Sequence, residues 1–256
     1  MNNRKLNRAK ELLESLKVEV GVFLDSQPYG IATMRDKEAR LVYFLAKVKD
    51  VPESISTLAG DILQNLRASL DHKAYELFQS NSTGLGRHIY FPIESDETKY
   101  EANKERKTDG MSQAAKDFID SIRPYKEGNS ILWQIHELNN LDKHRTLITS
   151  GSGFKSMDIG AHAMNIMMDA FGGTPKDFPK MPLFIRPTDN LFPLTVGKAL
   201  FIDGPNAKEI PDMQFVFQAV INEPGIAEGE EIIDFLERMT KEVEKQISDI
   251  SKNLGV

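Results

Sequence analysis

The chain has 256 residues, of which 40% are hydrophobic and 27% are charged, and its formal net charge is -6. This composition is ordinary for a globular protein, and the acidic balance disfavours nonspecific binding to nucleic-acid phosphates. The absence of cysteine excludes disulfides, thiolate nucleophiles and Cys-ligated zinc or iron-sulfur sites. We expect a cytoplasmic protein without a membrane segment, because the charged N-terminus is unlike a signal peptide and no window reaches the roughly 18 apolar residues of a membrane span.

The first part of the chain alternates between helical and β patterns. Apolar residues recur every three or four positions within residues 1–25, which predicts an amphipathic helix. Two β-rich runs within 28–50 flank a charged turn, a pattern typical of an antiparallel hairpin. Pro52 then opens the clearest helical pattern of the chain, over 53–79.

The middle of the chain combines a short β pattern with a highly charged stretch. Residues 88–93 are predicted to form a strand, and Pro92 favours an edge position for it. Residues 95–112 contain few apolar side chains, so we expect a solvated helix or a mobile segment there, and poor order in particular. Helical spacing returns within 113–147.

The last part is predicted to be β-rich and then helical. Clustered glycines and prolines favour strands and loops over 150–222, and a regular apolar stripe predicts a helix within 227–254. The sequence therefore predicts a single α+β domain over 1–256. We expect a helical core of long antiparallel helices, with an antiparallel β-hairpin and small sheets added to it.

Two helical segments carry more polar side chains than packing requires. On 53–79 they lie along both edges of the apolar stripe: Asp61, Asn65 and His72 on one edge, and Arg67 and Asp71 on the other. At the end of 113–147 they are Asn140, Asp142, Lys143, His144 and Arg145. Polar groups at such half-buried positions need partners, which are either another helix or a ligand.

Metal binding is disfavoured by the histidine spacing. The zincin pattern needs two histidines four residues apart, and Asn140 stands where the histidine after His136 would be required. The sequence also lacks a phosphate-binding P-loop and a dinucleotide fingerprint. We therefore expect no metal and no other cofactor.

Two runs of residues resemble known families. Gly60-Asp61, Leu66-Arg67-Ala68-Ser69-Leu70-Asp71-His72 and Leu141-Asp142-Lys143-His144-Arg145 resemble paired signatures of an uncharacterised group of bacterial and phage proteins. More distantly, Arg67 followed after four residues by His72 resembles the HEPN ribonuclease motif.

The HEPN resemblance implies a metal-independent endoribonuclease of a defence or toxin type, with RNA as partner and a dimer of helical bundles as the assembly. The catalytic residues would be Arg67, His72 and His144. The supporting residues would be Asp61, Asn65, Asp71, Asn140, Asp142, Lys143 and Arg145.

Two alternatives remain open at this point. The first is a noncatalytic ligand-binding or protein-interaction module, in which the same polar groups form a buried network. The second is a metal-assisted hydrolase. In all three cases we expect the segments 61–72 and 140–145 to pack side by side. Arg67, His72, Asp142 and His144 would then converge on one pocket.

Overall fold

A computed structural model describes residues 3–38, 40–82, 86–144, 150–158, 160–171, 184–185, 194–204 and 213–255. The helices are α1 (Arg4–Asp25), α2 (Glu53–Gln79), α3 (Glu97–Lys107), α4 (Gln113–Ile122), α5 (Ser130–His144), α6 (Gly160–Phe171) and α7 (Ile232–Leu254). The strands are β1 (Tyr29–Asp36), β2 (Leu41–Val48), β3 (Ser150–Asp158), β4 (Phe184–Ile185), β5 (Ala199–Asp203), β6 (Gln214–Glu223) and β7 (Ala227–Glu231).

The main hydrophobic core is built by α1, α2, α5 and α7. Their apolar stripes face one another, and residues such as Leu16, Leu66, Ile135 and Phe235 are fully buried. Burying one side chain of this size contributes about 1.5–3 kcal/mol, so the paired stripes are the principal driving force for the helical packing.

Polar contacts at the helix margins define how α1 lies on its neighbours. Asn3 Nδ2 donates to the Ser69 carbonyl over 3.2 Å, and Ser54 Oγ donates to Glu19 over 2.6 Å. These contacts occur in reverse order along α1 and α2. Two ion pairs between α1 and α7 show the same reverse order. Lys17 pairs with Glu237, and Lys10, nearer the start of α1, pairs with Glu244.

The strands form two antiparallel sheets, with the orders β1-β2-β5 and β4-β3-β6-β7. Aromatic side chains join the two sheets. The Phe215 ring of β6 lies 6.5 Å from that of Phe44 on β2, and the Phe217 ring of β6 stacks 4.8 Å from that of Tyr29 on β1. Ala219 and Ile221 of β6 extend into the helical core. The predicted hairpin within 28–50 and the α+β class are confirmed.

One predicted strand is absent. Residues 89–94 form no strand, and the Ile93 amide donates to the Phe91 carbonyl over 2.9 Å, so the backbone turns at Pro92 and the strand predicted over 88–93 is wrong. Within 95–112 the structure has the helix α3, the first of the two alternatives predicted for this stretch. Tyr100 anchors this helix: its side chain is buried and its hydroxyl donates to Asp120 over 2.6 Å.

The β-rich assignment of 150–222 is also incomplete, because α6 occupies Gly160–Phe171. The glycines and prolines around this segment predicted strands and loops, but its short Ala/Met-rich run forms a helix. At the other end, Ala227–Glu231 is a strand before α7 begins at Ile232. The Glu231 side chain caps that helix by accepting from the Asp234 amide over 2.6 Å. The helical pattern of 227–254 therefore starts five residues later than predicted.

None of the helices in the described ranges combines the length and apolar character that crossing a bilayer requires.

Candidate functional site

Helices α2 and α5 approach closely at a glycine. A Cβ atom at Gly60 would lie 2.5 to 2.9 Å from the carboxylate atoms of Asp142, so only a residue without a side chain allows this approach. Arg67 lies seven residues after Gly60 on α2, and His136 lies six residues before Asp142 on α5. The charge of Arg67 lowers the pKa of His136, so the two side chains lie near one another.

Arg67 and Asp71 hold the backbone of Phe91 from both sides. Arg67 Nη2 donates to the Phe91 carbonyl over 2.8 Å, and the Phe91 amide donates to Asp71 Oδ1 over 3.0 Å. The two side chains, one helical turn apart on α2, also form an ion pair of 3.0 Å. This arrangement satisfies the backbone groups of Phe91, which lies in no strand.

The second terminal nitrogen of Arg67 is not used by this clamp. The residue is only 6% exposed, and Nη1 has no hydrogen-bond acceptor within the described part of the chain. Burial lowers the pKa of the guanidinium, while Asp71 and Glu94 oppose this shift. Arginine stays charged in proteins, so Nη1 is a buried cationic donor for which the described residues supply no acceptor.

His136 supplies a second buried donor. Asn140 Nδ2 lies 3.1 Å from His136 Nε2. With the Asn140 amide in this orientation, Nε2 is the acceptor and the neutral ring carries its hydrogen on Nδ1. That Nδ1 atom is buried and has no partner in the ranges described. Burial, followed by the charges of Arg67, Lys107 and Lys143, lowers the pKa of His136 to about 3. The ring is therefore neutral at pH 7.

The surroundings of His136 are electrically positive. Lys107, at the end of α3, pairs with Glu94 over 2.6 Å and donates to the Ile93 carbonyl over 3.4 Å. Lys143 is exposed one turn beyond Asn140. Burial of the imidazole is the largest cause of its lowered pKa, and the charges of Arg67, Lys107 and Lys143, which lie on three helices, lower it further. We call Arg67, Asp71, His136 and Asn140 the α2–α5 site.

The structure does not place His72 in this site. Five residues along a helix correspond to about 140° around its axis, so His72 and Arg67 point in different directions. Arg67 is buried, whereas His72 is exposed. Asp61 is also exposed, and Asn65 bonds back to its own helix by donating to the Asp61 carbonyl over 2.8 Å.

The polar residues at the end of α5 have separate positions. Asp142 is half-buried against Gly60, about two turns from His136, and Lys143 faces solvent. His144 ends α5, but its side chain lies outside the described residues, and so does Arg145. Of the predicted site residues, Arg67 and Asp71 thus contact each other, and Asn140 contacts His136. The charges of Arg67 and Lys143 act on that histidine.

Sequence reasoning missed His136 as a site residue, because it considered this histidine only as a metal ligand. The available signal was its spacing of one turn from Asn140, which permits a side-chain hydrogen bond on a helix. The roles of Phe91 and Lys107 follow from tertiary packing and leave no local pattern. Within the residues the structure describes, no three His, Asp or Glu side chains are arranged to hold a metal ion.

Comparison with known protein families, with curated proteins and with solved structures finds no match for this chain. The HEPN resemblance and the paired signatures therefore stay predictions, and the geometry of the α2–α5 site is the basis for the functional argument.

Proposed function

We propose that this chain is a noncatalytic ligand-binding module and that its α2–α5 site binds an oxyanion of the phosphate type. A HEPN-like core of long antiparallel helices is part of this proposal, supported by the reverse order of the contacts that α1 makes with α2 and α7. The observation that carries the proposal is the pair of buried donors, Arg67 Nη1 and His136 Nδ1, without acceptors in the described part of the structure.

Buried donors without acceptors are costly. Each unsatisfied group costs about 1–3 kcal/mol, and more when it is charged, so two such donors near one another indicate a compensating role. An oxyanion that contacts both donors would supply an acceptor to each. The charges of Arg67, Lys107 and Lys143 act on His136, and although Arg67 and Lys107 are paired with Asp71 and Glu94, two donors suit an anion better than a neutral ligand.

The geometry supports binding better than cleavage. A general base or acid works best when its pKa is near the operating pH, and the pKa of His136 is about 3. His72 has no contact with Arg67 and is exposed. The endoribonuclease predicted from the HEPN resemblance would need one of these histidines to exchange a proton with RNA beside Arg67.

Titration with inorganic phosphate tests the proposal. Saturating phosphate should raise the melting temperature of the wild type, since a ligand at 100 times its Kd stabilises the native state by about 2.7 kcal/mol. His136→Phe keeps a flat aromatic ring, somewhat larger than imidazole, and removes both ring nitrogens, so without the Nδ1 donor it should abolish the shift. His72→Ala, a matched change of an exposed histidine, should preserve it. If phosphate shifts the melting temperature of both variants equally, the anion binds outside the α2–α5 site.

The same proteins test the ribonuclease prediction. RNA is incubated with the wild type and with His72→Ala in EDTA, after circular dichroism has shown that both are folded. Cleavage by the wild type that is lost in His72→Ala would replace our proposal with the endoribonuclease. Cleavage that persists unchanged in the folded variant would remove the assignment of His72 as a catalytic residue.

A further inference from the structure

The β1-β2-β5 sheet is apolar on both of its faces. Its inner face covers two clusters of buried side chains, to which Val42, Phe44 and Ala46 of the central strand belong. Side chains alternate along a strand, so the residues between these three face outward. Strand pairing arranges the outward residues in two rows across the sheet: Met34, Tyr43 and Ile202 in the first, and Ala32, Leu45 and Ala199 in the second. An antiparallel sheet with water on one side normally presents polar residues there, and this outer face does not.

The outer face belongs to no hydrophobic core among the described residues. None of the residues in the two rows is part of a buried cluster of the described chain or packs against one. Met34 and Ile202, on the two edge strands, are each 49% exposed, and Tyr43 and Leu45 between them are partly exposed. Contiguous apolar surface that a folded chain leaves exposed marks an interaction site.

Two opposite charges stand at the ends of this face. Asp36 is aligned with Leu41 beside the hairpin turn, and Lys47 is aligned with Gly30 at the far end of the same strands. Lys47 is exposed, and its side chain lies along Gly30, where a Cβ atom would be 3.7 Å from the lysine Cβ. Asp36 is partly exposed and accepts from the Glu38 amide over 2.9 Å. The turn beyond Asp36 carries charges of both signs, but Asp36 is the charge that the register places on the face.

We propose that this outer face is a dimer interface, which binds the same face of a second copy of the chain. A two-fold axis through the apolar rows reverses the strand direction between the copies, so that the Lys47 end of each lies over the Asp36 end of the other. The apolar rows then pack on each other, as two sheets do at a separation of about 10 Å. The dimer of helical bundles that the HEPN resemblance implies would use a different surface, because this sheet is not part of a bundle.

Analytical ultracentrifugation over a dilution series measures the association. The wild type should sediment as a dimer at high concentration and dissociate on dilution. Met34→Glu introduces a carboxylate into an apolar row and should weaken the association by about tenfold or more, since it would be desolvated in the interface without a partner. Val22→Glu makes a matched change at a 62% exposed valine of α1 and should leave the dimer intact. Circular dichroism checks that both variants are folded.

Exchanging the two end charges tests the orientation of the copies. Lys47→Glu gives a face with two acidic ends, and Asp36→Lys gives a face with two basic ends, so each variant alone should associate more weakly than the wild type. An equimolar mixture of the two should dimerise again. The mixed dimer pairs the new carboxylate of one variant with the new ammonium of the other, and it keeps a native pair of Lys47 and Asp36 at the second contact.

Several results would overturn the proposal. A wild type that stays monomeric at every soluble concentration would show that the partner of this face is not a second copy. A dimer that Val22→Glu dissociates and Met34→Glu does not would place the interface on α1. If the folded charge variants associate no better when mixed than alone, the two-fold arrangement is wrong. Restored association in the mixture, together with a monomeric Met34→Glu, would support the interface as we describe it.

Discussion

Arg67 uses its two terminal nitrogens for different purposes. Nη2 belongs to the structural clamp on Phe91, and Nη1 is directed to the oxyanion that we propose. A substitution of Arg67 would change folding and binding together, because its partner Asp71 would lose its ion pair. His136 is the better residue for separating these effects, since its described hydrogen bond is confined to Asn140 on its own helix.

The titration of His136 predicts a specific pH dependence of stability. The unfolded imidazole titrates near pH 6.5 and the folded one near pH 3, so stability is fully present above pH 6.5 and is lost as the pH falls toward 3. Between pH 7 and pH 5, where most carboxylates stay ionised, this histidine should account for about 2 kcal/mol of lost unfolding free energy.

Urea denaturation at pH 7 and pH 5 measures this effect. The wild type and His72→Ala should lose similar free energy on acidification, because His72 is exposed. His136→Phe should lose about 2 kcal/mol less than either of them. Parallel losses in all three proteins would show that the imidazole of His136 is protonated as easily in the folded as in the unfolded state.

Helices were predictable where their own apolar pattern determines them. Helix α2 has the predicted bounds, because its apolar residues repeat regularly along its whole length. Helix α3 has Tyr100 as its only buried residue, and its stability depends on contacts with other segments, such as the bond to Asp120. The strand expected over 88–93 fails for a related reason: α2 side chains satisfy the Phe91 backbone, which no local pattern indicates.

The close approach of α2 and α5 predicts opposite effects of one substitution at two helical glycines. Alanine is favoured over glycine in a helix by up to about 1 kcal/mol, so Gly21→Ala, with no atom within 4 Å of the new Cβ, should stabilise the protein. Gly60→Ala should destabilise it by about 1–3 kcal/mol, because its Cβ would overlap the Asp142 carboxylate.

Thermal melts of the two variants decide this prediction. The double variant Gly60→Ala/Asp142→Ala serves as the control, since removing the carboxylate should restore part of the stability that Gly60→Ala loses. If Gly60→Ala is as stable as Gly21→Ala, the side chain of Asp142 yields easily and the two helices are not held closely together.

At the scale of the whole molecule, the chain has one large core and two small ones. The large core joins the helices with Ile221 of β6. The small cores lie under the β1-β2-β5 sheet, where Phe44 and Ala46 are buried. Periodicity in the sequence predicted the helical core. It could not show how the β4-β3-β6-β7 sheet connects the large core with the small ones, because that depends on aromatic contacts between distant strands.

Because the cores are distinct, we expect their opening to be separable by hydrogen exchange. Phe44→Ala removes a ring that contacts Phe201 and Phe215 and leaves the helical core intact. It should therefore accelerate amide exchange in β1, β2 and β5 far more than in α2, as expected of a unit that opens below the global unfolding energy. Leu66→Ala, which costs about 2–5 kcal/mol in the helical core, should accelerate exchange in both regions. Equal acceleration of α2 and β1 by Phe44→Ala would instead show that helices and sheets unfold as one cooperative unit.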